Sequence, residues 1–171
     1  MHFQATIVVG QTNDQVWSFF NDLSNLARWD RSVAQVMWTS PEPYGVGSTF
    51  DTIAPVRKSR SPKEGLRMSY RMTSYVPNQM YSCVLTNSSL FTSAQWTMST
   101  ETSAEGVRIT CQFDGTLRFQ YSFLLPILLL TYKGAFRRDL TSLKQAIERD
   151  AIAHHRSEDV RSSASPAENG G

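Results

Sequence analysis

Histidine is almost missing from the interior of this chain. Only His2, His154 and His155 occur, all at the edges of the patterned region. The commonest general base and the commonest metal ligand are therefore absent from any buried site. Serine is plentiful, but without an internal histidine to activate it no nucleophilic triad is expected. His154 and His155 are adjacent, and neighbours on a helix point about 100° apart, so they read as surface residues. Cys83 and Cys111 are the only cysteines and show no zinc spacing. Both sit in strand-like alternation, where a free cysteine behaves as a small buried hydrophobe. A disulfide between neighbouring strands stays open as an alternative, although a domain of this size does not need one. We expect neither a metal nor a cofactor.

A dominant charge is missing too. Seventeen basic residues against 15 acidic ones leave a net charge of +2, so no whole-molecule field favours nucleic acid or an acidic partner. The start, Met1 to Thr6, lacks the basic segment and apolar stretch of a signal peptide. The greasiest run, FLLPILLL from Phe123 to Leu130, is followed by Lys133, Arg137 and Arg138. Crossing a bilayer takes about twenty apolar residues, so this run is not a membrane span. A cytoplasmic protein is the default expectation.

What is present is alternation. Phe3, Ala5, Ile7 and Val9 carry the two-residue period of a half-buried strand. Thr12 and Gln15 then form a capping-box pattern ahead of a short amphipathic helix over Asn13 to Asp22, and Ser24 is placed to cap a second helical turn through Leu26 and Trp29. Strand period resumes at Ala34, Val36 and Trp38. Pro41, Pro43, Gly45 and Gly47 make a turn-rich link to a strand over Ser48 to Ala54. Four more strands are expected over Leu66 to Val76, Met80 to Thr86, Leu90 to Thr100 and Gly106 to Phe119, joined by hairpin-type links. Their alternation makes a sheet with one polar and one apolar face. A helix from Pro126 to His155 follows, with Leu128, Tyr132, Phe136, Leu140, Leu143 and Ile147 in a stripe at spacings of three and four. From Arg156 to Gly171 apolar residues nearly vanish, which predicts a disordered tail. The expectation is one α+β domain over residues 1–155 in which a long helix lies across a curved antiparallel sheet of about seven strands and encloses an apolar space.

The element order, together with the stretches IVVGQTNDQVWSFFNDLSNLARWDRSVAQV, PYGVGSTF and FRRDLTSLKQAIE, resembles the polyketide cyclase/dehydrase branch of the START-like (SRPBCC) superfamily. The matching features are Val16-Trp17, the Trp29-Asp30 pair, Gly45-x-Gly47 and the stretch from Asp139-Leu140 to Leu143-Lys144. The resemblance covers about residues 3 to 150 and implies the helix-grip fold, which is also that of the birch-pollen allergen. It implies little about activity, because the superfamily includes lipid carriers, cyclases, quinone chaperones and ribosome-associated toxins. Gly45-Val46-Gly47 lacks the helix and lysine of a phosphate loop and reads as a turn.

The apolar face offers Tyr70, Met72, Tyr81, Trp96, Met98, Phe113, Tyr132 and Phe136 as candidate ligand-binding residues. Aromatic walls with a few hydroxyls suit a small-molecule pocket, and methionine adds tolerance of shape. The expected ligand is a small hydrophobic molecule of lipid, polyketide or isoprenoid type. The alternative is a cyclase or dehydratase acting mainly by positioning its substrate. Asp51 is the one candidate base, on the condition that it faces the cavity, where burial would raise its pKa; Asp30 is expected to cap or to pair near Arg28 and Arg31. Arg57, Lys58, Arg60 and Lys63 lie in a serine- and proline-rich stretch that reads as a solvated loop, with peripheral membrane contact as the sharper alternative.

Overall fold

The computed structural model describes residues 1–55 and 65–163. Arg57, Lys58, Arg60 and Lys63, and residues 164–171 of the expected tail, lie outside that set.

Seven antiparallel strands form one sheet in the order β1-β7-β6-β5-β4-β3-β2. They are β1 (His2–Val9), β2 (Gln35–Trp38), β3 (Thr49–Ile53), β4 (Arg67–Val76), β5 (Met80–Leu85), β6 (Phe91–Ser103) and β7 (Gly106–Leu117). Consecutive strands from β2 to β7 are neighbours, and the first strand closes the order by pairing with the last, Ala5 opposite Cys111. Two turn positions make the tight hairpins possible. Asn78 adopts φ 58° between β4 and β5, and Gly106 adopts φ 119° between β6 and β7; a Cβ at Gly106 would also fall 2.1 Å from the Val9 carbonyl oxygen, so only glycine fits.

Between β1 and β2 the chain forms α1 (Asn13–Asn21), a 3-10 turn (Leu23–Asn25) and α2 (Leu26–Trp29). The capping box is present: Gln15 N–H donates to Thr12 Oγ1 at 3.3 Å and Thr12 N–H donates to Gln15 Oε1 at 3.0 Å. The second helical piece is capped differently from the expectation. Asp22 caps the 3-10 turn, with Ser24 N–H at 3.0 Å from its Oδ1, and α2 continues directly from that turn with Asn25 at its N-cap and no side-chain cap, Ser24 included.

After β7 a 3-10 turn (Phe119–Leu124) leads into α3 (Leu125–Ser163). This helix continues eight residues beyond the end expected at His155, as each further residue on an existing helix adds a hydrogen bond without a new nucleation cost. Phe136, Leu140, Leu143, Ala146 and Ile147 are buried against Val9, Val107, Ile109, Val16 and Phe19. Apart from Ala146 these belong to the stripe expected from the sequence, whose Leu128 and Tyr132 are half-buried, and the whole is the helix-grip arrangement that the resemblance implied.

Candidate functional site

The helix and the sheet do not meet along their full length. Between the sheet's concave face, the α1–α2 segment and the first turns of α3 lies a cavity of about 560 Å³, within the range of small-molecule sites. All eight side chains singled out from the sequence line it: Tyr70 and Met72 from β4, Tyr81 from β5, Trp96 and Met98 from β6, Phe113 from β7, Tyr132 and Phe136 from α3. The aromatic wall is continuous. Trp96 packs on Phe113 with centroids 4.6 Å apart and on Phe136 at 5.9 Å, and Phe113 reaches Tyr132 at 5.5 Å.

Several lining residues escaped the alternation. A register shift between Met72 and Ser74 reverses the facing of the rest of β4, so Tyr75 joins Met72 at the cavity. The shift between Phe91 and Ser93 does the same on β6, bringing Phe91 in beside Ala94. Trp17, Phe20 and Trp29 come from α1 and α2, whose facing a strand period cannot report. Trp17 is held by an Nε1–H bond to Thr100 Oγ1 at 2.8 Å.

Asp51 does not line the cavity. Its neighbours Phe50 and Thr52 do, so the pleat turns Asp51 to the outer face of the sheet, where Arg67 Nη1 stands 3.5 Å from its carboxylate. The expectation of a cavity-facing base at Asp51 is thus corrected by strand parity. Of the two roles expected for Asp30, capping and pairing near Arg28 and Arg31, the structure shows the cap. Arg28 donates to Asn25 Oδ1 at 2.7 Å and to Asp150 at 2.6 Å, while Asp30 closes its own turn by accepting from Ser32 N–H and Oγ–H at 2.8 and 2.6 Å.

The carboxylate that the sequence reading missed is Asp139. It lines the cavity together with Asp30. Partial burial first, and then repulsion from Asp30, push its pKa up to about 6, against the opposing pull of Arg31 and Arg138. The available signal was position: Asp139 follows Phe136 by three and Tyr132 by seven, on the inward stripe of α3. The buried phenols and thiols of the lining are held neutral. Burial raises the phenols of Tyr70, Tyr81 and Tyr132, raises Cys111, and pushes Cys83 up to about 12; both thiols are free. Thr52 is 2% exposed and lies beside the Tyr70 phenol, yet its Oγ1 finds no well-formed hydrogen bond among the described residues. Also among the described residues, no group of three or more His, Cys, Asp or Glu side chains converges as a metal site, and no helix is long and apolar enough to cross a membrane.

The family described as polyketide cyclase / dehydrase and lipid transport matches residues 1–148. No curated protein matches the chain. Among solved structures, the ZhuI aromatase/cyclase from Streptomyces sp. R1128 superposes with a TM-score of 0.71 at 13% identity, covering 88% of this chain and 95% of that one. TTHA0849 from Thermus thermophilus gives 0.65 at 14% identity over 90% and 99% of the two chains. The di-domain aromatase/cyclase StfQ of the steffimycin biosynthetic pathway gives 0.60 at 16% identity, covering 92% of this chain and 51% of that one. At these identities the likeness is one of fold.

Proposed function

Because the chain belongs to the polyketide cyclase/dehydrase and lipid transport family, we propose that it binds a small hydrophobic molecule in the cavity between sheet and terminal helix and carries it in solution. The observation behind this reading is the cavity itself: about 560 Å³ walled by aromatic and sulfur-bearing side chains. Burial of apolar ligand surface supplies the affinity, at roughly 25 cal/mol per Å² before the costs of ordering. Thr52 Oγ1 and the Tyr70 phenol, buried side by side on the cavity wall, offer a polar pair to a ligand oxygen or nitrogen.

The direct test is solvent extraction of the purified protein followed by mass spectrometry, repeated on Met72→Trp, which fills the cavity from β4. Wild type should release an apolar compound and the variant much less. An extract free of such compounds, with no thermal shift across lipids, polyketides and isoprenoids, overturns the reading.

A cyclase or dehydratase reading is favoured by one specific residue. Asp139, with its pKa at about 6, exchanges protons near neutral pH and lines the same cavity. The raised phenols of Tyr70 and Tyr132 would remain neutral donors to a substrate carbonyl, and the cavity wall would fold the chain for ring closure. In an assay with a reactive poly-carbonyl substrate, Asp139→Asn should lose at least about tenfold in rate while apolar ligand still binds. A rate unaffected by that change removes Asp139 from the chemistry.

A further inference from the structure

Among the described residues, the segment joining β7 to α3 exposes apolar side chains in a pattern. Phe119, Phe123, Ile127 and Leu130 are 94%, 70%, 58% and 82% exposed, and Leu125 and Leu129 less so, along the 3-10 turn and the first turns of α3. On the other side, Tyr121, Leu124, Leu128 and Tyr132 are half-buried. A helical stretch that is apolar on both sides is not satisfied by its own fold, and a contiguous exposed apolar surface marks an interaction site.

Charge identifies the occupant. From Gly115 to Arg138 the chain carries Arg118, Lys133, Arg137 and Arg138 and not one carboxylate, and Arg118, Arg137 and Arg138 are exposed. A second copy of this chain meeting the surface about a two-fold axis would set cations against cations. An anionic bilayer complements both parts, since bulky aliphatic and aromatic side chains settle at the boundary of headgroups and acyl chains while arginines engage phosphates. We propose that this surface docks on an anionic phospholipid membrane, the segment lying in the interface. It stands on its own residues, whatever the cavity holds. Leu128 lines the cavity between exposed Ile127 and Leu129, so the docked membrane would adjoin the cavity wall.

The test is co-sedimentation with phosphatidylcholine vesicles made with and without phosphatidylglycerol. Wild type should pellet with the anionic vesicles, less so at high salt. The triple variant Phe123→Ser, Ile127→Ser, Leu130→Ser should lose at least about tenfold in partitioning while keeping its melting temperature and any compound held in the cavity. Arg118→Gln with Arg137→Gln, which leaves the apolar side chains intact, should weaken binding about fivefold per charge and only for anionic vesicles. Equal pelleting by wild type and both variants, or no pelleting of wild type, overturns the proposal. A wild-type dimer by light scattering that the triple variant reduces to monomer overturns it as well, by assigning the surface to self-contact.

Discussion

The two halves of α3 carry the same kind of apolar stripe and meet the sheet in opposite ways. From Leu140 to Ile147 the helix is locked down: Leu140, Leu143 and Ile147 are at most 3% exposed and pack on Val9, Val107 and Ile109. At Leu128 and Tyr132 the stripe faces a hollow instead, with Phe136 at the border between the two. The difference comes from the strands beneath. The Val9 end of β1 and the Val107–Ile109 end of β7 present compact branched residues to the helix, whereas Phe113 farther along β7 joins the long aromatic and methionine side chains of β4, β5 and β6 along the wall. The filled core lies at the first end and the cavity at the second.

That division can be broken by experiment. Leu143→Ala should cost about 3 kcal/mol, because it opens a void in a filled region, read as a lower denaturant midpoint with an unchanged slope. Met72→Ala only enlarges a space that already exists and should cost about 1 kcal/mol; equal losses at the two positions would mean that the cavity is not hollow.

The smallest effect concerns Asp139. Its folded pKa of about 6 lies above the ordinary value of 3.8, so the folded state holds the proton more tightly than the unfolded state. The stability this contributes is fully present below about pH 4 and is lost as pH rises through about 6. Asp139→Asn should therefore flatten the stability profile between those values and leave the protein modestly more stable at neutral pH, as measured by urea unfolding across pH. An unchanged profile would show that Asp139 is not desolvated by the cavity.

The apolar stripe of α3 and the eight aromatic and sulfur-bearing lining residues were legible because side-chain period alone decides which way a residue points within an uninterrupted element. Tyr75 and Phe91 were not, since each follows or borders a register shift that reverses the parity. Asp51 misled for a related reason: its burial under Arg67 is real, but on the wrong face. Asp139 stands on the inward side of α3, three residues after Phe136, but helical period alone does not separate a carboxylate that enters a cavity from one at its rim.

The sequence by itself determined the element order, the capping box at Thr12 and Gln15, and the amphipathic faces, all of which are local periodicities and short-range hydrogen bonds. Only the tertiary structure decided where helix and sheet touch and where they part, which carboxylate reaches the cavity, and which apolar side chains are left in water. Those outcomes depend on the sizes of side chains distant in sequence that are set opposite one another, and no local pattern encodes that match.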